Sequence, residues 1–195
     1  MMKLGEGAEA EVFVTRAFER DVVVKVRQEK KYRVGALDLS LRLSRTRREA
    51  KLMRKARAAG AGAPRIVALG KFSIYMEKLN GKLLKDCVVR KSEYGKVGAL
   101  LAGMHNAGMV HGDFSPANVM VCREGLRVID FGLAEESGSA EERAIDLLLM
   151  KRSISGDCYE KFRRGYAEKA DGARETLRRL SEVEKRGRYQ VRTLL

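Results

Sequence analysis

His111-Gly112-Asp113-Phe114-Ser115-Pro116-Ala117-Asn118 is followed, after one short apolar run, by Ile129-Asp130-Phe131-Gly132. Asp113 stands five residues before Asn118, and Asp130 closes the strand-like stretch Leu126 to Ile129. This is the layout of a phosphoryl-transfer site. One carboxylate meets the attacking hydroxyl or water, where it accepts a proton or orients the nucleophile. An Asn and a second Asp supply the hard oxygens that Mg²⁺ prefers between ATP phosphates. Asp113 is therefore the expected catalytic residue, Asn118 and Asp130 are the expected metal ligands, and ATP with Mg²⁺ the expected cofactors. His111 reads as a buttress of this loop and His105 as a helix-end residue.

A glycine-rich stretch, Gly5-Glu6-Gly7-Ala8-Glu9-Ala10, opens the chain. Glycines let a turn bring backbone N–H groups against phosphate oxygens with no Cβ in the way. The third position of a G-x-G-x-x-G pattern is Ala10, and a hairpin without a ligand would read the same, so the stretch takes its meaning from Lys25. That lysine lies inside the β-branched run Val22 to Val26, where it can reach the α- and β-phosphates. Glu49 shares a helical stripe with Leu52, Met53 and Ala56, and a carboxylate on a core-facing stripe needs a cation; Lys25 is the one available. Thr46-Arg47-Arg48-Glu49 also reads as a capping box, which would commit Glu49 to its own helix start. The Lys25 pairing is preferred because the downstream site is otherwise complete. Met76-Glu77-Lys78-Leu79 is the expected hinge against the adenine edge.

The elements that must position these groups divide near Asn80-Gly81, a turn pair. Ahead of it, strands over Ala10 to Arg16, Val22 to Val26, Arg65 to Leu69 and Ser73 to Glu77 accompany a helix from Leu37 to Ala59, ended by Gly60-Ala61-Gly62-Ala63-Pro64. Beyond it, helices are expected at about Ser92 to Ala107, Glu141 to Ser153, Asp157 to Lys169 and Ala173 to Lys185. Short strands Val119 to Cys122 and Leu126 to Ile129 sit between the first two helices. The class is α+β. Residues 1–79 form a nucleotide-binding sheet with its helix, residues 80–185 a mostly helical part carrying the catalytic and metal loops, and residues 186–195 a basic tail.

A chain of 195 residues can bury one core or two small lobes around a cleft. No apolar run approaches the ~18 residues of a membrane helix, and Gly5 and Glu6 interrupt any leader at once, so a soluble protein without a membrane partner is expected. Cys87, Cys122 and Cys158 are widely spaced and include no C-x-x-C pair, which argues against disulfide or zinc frameworks and for the cytoplasm. The formal net charge is +14, a field that favours polyanions, nucleic acid first among them. Lys25 to Arg57 holds 13 basic residues against Glu29, Asp38 and Glu49, and no acid follows Glu184. Two basic patches are expected, one on the Arg42 to Arg57 helix and one at the C-terminal end, with salt-sensitive nucleic-acid binding through both.

Gly5 to Ala10, Lys25, Lys31-Tyr32-Arg33, Arg45-Thr46-Arg47-Arg48-Glu49-Ala50, Met76-Glu77, His111-Gly112-Asp113, Asn118, Asp130-Phe131-Gly132-Leu133 and Ala144-Ile145-Asp146-Leu147 occur in a telling order. In it, the chain resembles the small kinase-like ATPase subunit of the archaeal and eukaryotic KEOPS complex over nearly its whole length. The resemblance implies a minimal two-lobed protein-kinase-like fold and a supporting role in making threonylcarbamoyladenosine in tRNA. It implies as partners a metal-dependent transferase subunit, a small regulatory subunit and tRNA. It also implies a nucleotide site of Leu4, Gly5, Glu6, Gly7, Ala8, Glu9, Ala10, Val12, Lys25, Glu77 and Leu79, with Lys25 and Glu49 joining Asp113 in catalysis. Three other readings compete: a RIO-like kinase of ribosome maturation, a small-molecule phosphotransferase of the aminoglycoside-kinase type, and a nucleic-acid-binding scaffold that only senses ATP. An ordinary protein kinase has an Arg where Gly112 stands and an A-P-E segment, and neither is present; 13 residues separate Gly132 from Asp146, too few for a long activation segment. Asp146 is expected to receive backbone N–H groups of the catalytic loop.

Overall fold

The computed structural model describes residues 2–7 and 9–192. Strands β1 (Met2–Glu6), β2 (Ala10–Ala17) and β3 (Arg20–Arg27) run antiparallel in sequence. They are joined by β4 (Ile66–Leu69) and β5 (Ser73–Glu77) in the order β1-β2-β3-β5-β4. Between β3 and β4 the chain crosses the sheet as helix α1, Gly35–Ala58. Strand alternation sends Val23, Lys25 and Arg27 to one face, opposite their register partners Met76 and Ile74. Onto that face α1 turns Glu49, Ala50, Leu52, Met53 and Ala56, all buried.

The second half is built on four helices: α2 (Glu93–Asn106), α3 (Ala140–Ser153), α4 (Gly156–Ala167) and α5 (Ala173–Arg192). A three-stranded sheet of β6 (Gly81–Leu83), β8 (Val119–Cys122) and β9 (Gly125–Val128), in the order β6-β8-β9, lies beside them. A two-residue ladder pairs β7 (Met109–Val110) with β10 (Glu135–Glu136). One apolar core runs from Leu52, Met53 and Ile74 through Val97, Leu101 and Met104 to Phe114, Phe131, Leu147, Phe162 and Tyr166, so both halves share it. Ser139 caps α3, its hydroxyl accepting from the Glu142 N–H.

Three features depart from the sequence reading. Gly5 and Glu6, expected in a turn, end strand β1, all of whose residues are exposed and therefore carry no burial alternation to read. Gly81 begins β6, where a Cβ would meet the Val121 carbonyl oxygen at 2.5 Å; a close backbone approach, not a turn, requires that glycine. The helix expected to stop at Lys185 continues as α5 to Arg192, so residues 186–192 extend that helix. Gly187 costs a helix only about 1 kcal/mol, too little to end one already anchored on α3. Residues 193–195 lie outside the described chain.

Candidate functional site

Lys25 stands at the centre of the arrangement. Its register on β3, flanked by Val12 and Ile74, directs Nζ between α1 and the segment after β9. There Nζ donates to Glu49 Oε1 at 2.7 Å and to Asp130 Oδ1 at 2.7 Å. The Lys25 side chain is 11% exposed and that of Glu49 2%. Burial opposes the charge on Lys25, but the carboxylates of Glu49 and Asp130 outweigh it and hold the ammonium above its ordinary range. Burial likewise pushes against ionisation of Asp130, and Lys25 together with the Gly132 N–H overcomes it, so this carboxyl lies below the usual carboxylate range. The capping-box alternative for Glu49 is excluded: Thr46 is inside α1, and its hydroxyl donates to the Arg42 carbonyl at 2.8 Å.

Asp113 and Asn118 meet in the loop between β7 and β8. The Asn118 amide donates to the Asp113 carbonyl at 2.8 Å and to Asp113 Oδ2 at 2.9 Å. That fixes an exposed carboxylate by a buried side chain. Among the described residues nothing donates to Asn118 Oδ1 or to Asp130 Oδ2. Two hard oxygens are thus open to a cation, and Asp130 presents its own from a left-handed backbone, φ 58°, locked by the Gly132 N–H on Oδ1 at 3.1 Å.

The loop itself hangs from Asp146 on α3. Its fully buried carboxylate accepts from the His111 N–H at 2.7 Å and the Gly112 N–H at 2.9 Å. Gly112 has φ 77°, and a Cβ there would meet the Leu133 carbonyl oxygen at 2.5 Å, so only glycine fits between the two loops. The His111 ring donates from Nε2 to the Ile129 carbonyl at 3.0 Å and accepts the Asp113 N–H on Nδ1 at 3.3 Å, tying both loops together. His105 lies in the last turn of α2, the helix end expected for it, and is completely buried: Nε2 lies 3.2 Å from Asp146 Oδ2 and Nδ1 2.8 Å from the Tyr166 hydroxyl. Burial first, with Arg143 nearby, lowers its pKa against the opposing pull of Asp146. The neutral Nε2–H tautomer satisfies both contacts.

The glycine-rich stretch is placed differently from expectation in one respect. Gly5 and Glu6 pair with Val12 and Glu11, and the Gly7 N–H closes the turn on the Ala10 carbonyl at 2.9 Å. Ala8 lies outside the described residues. Leu4 and Glu6 are exposed, Glu6 taken by Lys3, and Cβ atoms on Gly5 or Gly7 would meet nothing closer than 3.6 Å. Glu9 is not free: its carboxylate is ringed by Arg27, Arg33 and Arg45. At the hinge, the Glu77 N–H donates to the Arg65 carbonyl and its carboxylate accepts the Arg65 N–H at 2.8 Å, while Leu79 is half-buried.

Arg27 is the participant that the sequence reading missed. It is 5% exposed, donates to Glu49 Oε2 at 2.5 Å and lies 3.5 Å from Glu9. Its signal was present: it follows Lys25 by two positions on a strand and so shares its face. A buried carboxylate held by two cations on the same strand is a stronger fixture than the single pair expected.

Sheet, crossing helix and paired loops have the fold of the protein-kinase-like phosphotransferases. Rio2 kinase from Chaetomium thermophilum, in an ADP/Mg²⁺-phosphoaspartate complex, matches it with a TM-score of 0.66 at 13% identity, over 95% of this chain and 70% of that one. The RIO domain model matches residues 11–171. A probable serine/threonine-protein kinase BUD32 homolog of Archaeoglobus fulgidus is 36% identical over 98% of both chains. KEOPS complex subunit Bud32 of Pyrococcus abyssi is 35% identical over 99% of this chain and 98% of that protein. A probable bifunctional tRNA threonylcarbamoyladenosine biosynthesis protein of Methanothermobacter thermautotrophicus is 32% identical, over 95% of this chain and 36% of its own length. The chain belongs to the RIO-domain family and, within it, to the Bud32 proteins.

Proposed function

We propose that this chain is an atypical serine/threonine protein kinase and ATPase that uses Mg-ATP to support threonylcarbamoyladenosine modification of tRNA. In this reading it works in a KEOPS-type assembly beside a transferase subunit and a small regulatory subunit. The observation that carries the reading is Lys25 held between Glu49 and Asp130 at 2.7 Å each, with the Asp113–Asn118 pair tied to the residue before Asp130 by the Ile129 N–H on the Asn118 carbonyl at 2.9 Å. The relatives named Bud32 and the bifunctional tRNA-modification proteins support the biological setting.

The residues present fit nucleotide and metal. Residues 1–79 and 80–185 are assigned as the two lobes that face the nucleotide. Lys25 is the phosphate-binding cation, the end of β1 at Gly5 with the turn closed by Gly7 and Ala10 the cradle, and the backbone of Glu77 to Leu79 the adenine contact. Asn118 Oδ1 and the Asp130 carboxylate are the Mg²⁺ ligands, the donor type this hard cation takes. Mg²⁺ supplies charge neutralisation to the transferring phosphoryl group. Asp113, steadied by Asn118, orients the attacking hydroxyl or water and takes its proton. Gly112 in place of an arginine, together with the short stretch from Gly132 to α3, supports activity that is not switched by loop phosphorylation.

ATP turnover with Mg²⁺, followed for the wild type and Asp113→Ala, each alone and with the transferase subunit plus tRNA, tests the reading. Turnover that rises with partner and tRNA, and falls by two or more orders of magnitude in the variant, is the expected result. A variant that keeps wild-type turnover removes Asp113 from the chemistry. Wild-type turnover indifferent to both additions points to a free-standing kinase instead.

A further inference from the structure

The outer face of the α2–α4 helix pair carries cations that the nucleotide site does not use. The two helices cross at glycine contacts: a Cβ on Gly98 would stand 2.0 Å from the Phe162 carbonyl oxygen, and one on Gly165 2.0 Å from that of Gly95. Because the backbones touch, side chains flanking the crossing line a single groove of about 390 Å³. Ser92, Gly95, Lys96 and Ala99 of α2 and its N-terminal cap line one wall; Lys161, Arg164 and Gly165 of α4, with Glu168 and Lys169 just beyond it, line the other. Both sets fall at steps of three and four, one face of each helix.

The charge in this groove is unbalanced. Four cations meet one lining carboxylate, Glu168, which is paired with Arg164 at 2.9 Å. Among the described residues Lys96 is held only by Glu93 on its own helix, at 2.9 Å. Both pairs are exposed, and exposed pairs exchange partners at little cost. Lys161 and Lys169 have no carboxylate within 4.0 Å among the described residues. On α1, by comparison, Arg42, Arg45, Lys51, Lys55 and Arg57 are paired with carboxylates, and Arg47, Arg48 and Arg54 are not, among the described residues.

We propose that the α2–α4 groove binds the phosphodiester backbone of RNA. The proposal rests on the tRNA-directed reading above and adds a contact surface to it. From Lys161 to Lys169 is about 12 Å along the helix direction, over which one nucleic-acid strand presents roughly three or four phosphates. The groove continues past Lys96 and Ala99 into a smaller one of about 290 Å³ lined by Ala59, Gly60, Leu100 and Leu126. Among the described residues no aromatic ring lines either groove, and neither offers a platform for base stacking. Recognition is therefore through phosphate and ribose, without sequence preference. A large buried aromatic or arginine anchor, the usual mark of a protein–protein hot spot, is also missing from the apolar end.

The test uses the full chain and a tRNA transcript. Binding is followed by fluorescence anisotropy across a salt series for the wild type, the Lys161→Glu/Lys169→Glu variant and its milder Lys161→Gln/Lys169→Gln counterpart. Both variants are expected to melt like the wild type and to turn over ATP alone at the wild-type rate, because neither lysine touches the nucleotide site. The expected result is a tenfold or greater loss of affinity and a log–log salt slope reduced by about two. On the wild type, RNA should also protect Lys161 and Lys169 from amine acylation, a readout independent of any variant. Wild-type binding that both variants and the acylation pattern leave unchanged overturns the groove and spares the tRNA reading. Absence of wild-type binding overturns both. Loss of association with a partner protein at intact RNA affinity reassigns the groove to an acidic protein and overturns the proposal.

Discussion

Glu49 has two cations where one would suffice, and the second decides how firmly the first is held. Arg27 and Lys25 take one carboxylate oxygen each, at 2.5 and 2.7 Å, in a space nearly closed to water. Arg27→Met should therefore cost about 3 kcal/mol of unfolding free energy, the low end for breaking a buried pair, because Lys25 still compensates Glu49. It also removes one of the three arginines around Glu9, leaving Arg33 and Arg45 in place. A urea midpoint equal to the wild-type value would show that the arginine merely fills space. His105 makes a second residue-scale prediction. Its pKa is lowered from 6.5 chiefly by burial, so the unfolded chain binds a proton that the folded chain refuses. Stability contributed in this way is complete above about pH 6.5 and is lost as the pH falls from there toward the depressed value. The melting temperature should decline from pH 7 to 5, and His105→Gln should flatten that decline while losing stability at pH 7. Parallel profiles for both proteins would place the acid sensitivity elsewhere.

At the scale of elements, glycines set how closely helices and loops approach. Gly98→Ala places a methyl group 2.0 Å from the Phe162 carbonyl and forces α2 and α4 apart. Overpacking of this kind costs about 1–3 kcal/mol, or roughly 2–12 °C in melting temperature for a domain of this size. Gly156→Ala, where a Cβ meets nothing within 4 Å, is the matched control and should melt at or slightly above the wild type; equal shifts for both would indict helix propensity, not the crossing. The crossing was invisible in the sequence, since Gly95, Gly98 and Gly165 interrupt helical patterns without saying what they face. By contrast, β5, β8 and α3 were legible almost to the residue and β3 to within two, because their apolar and β-branched patterns are local. The candidate residues Asp113, Asn118 and Asp130 could be singled out for a similar reason: the chemistry expected of them asks for fixed residue types at short spacing. Strands β7 and β10 were not, being two residues long, and with them went Glu136. Its carboxylate bridges Lys51 and Lys55 of α1, which hold its pKa down at about 2. The short segment after Asp130-Phe131-Gly132 is thereby attached to α1 without any modification.

Across the whole molecule the net charge of +14 is not spread as the sequence suggested. The α1 helix carries many basic residues, yet most are internal fasteners. Arg42 holds Asp38 and stacks on Phe72, Arg45 holds Glu9, Arg57 holds Glu77 and the Ala63 carbonyl, and Lys51 and Lys55 share Glu136. Arg47, Arg48 and Arg54 are exposed and, among the described residues, have no carboxylate within 4.0 Å. Only such side chains can exchange counterions for phosphates without first breaking a contact within the protein. The two sets should therefore separate in experiment. Replacing Arg47, Arg48 and Arg54 with alanine should leave unfolding nearly unchanged and weaken tRNA binding ten- to a hundredfold at low salt, with the salt slope reduced by two to three. Replacing Arg42, Arg45 and Arg57 should lower stability first and alter the slope by less than one, because those charges are already neutralised in the fold. If the two triple variants lost affinity and slope equally, pairing within the protein would not govern which cations reach RNA, and long-range attraction by the summed charge would be the better description.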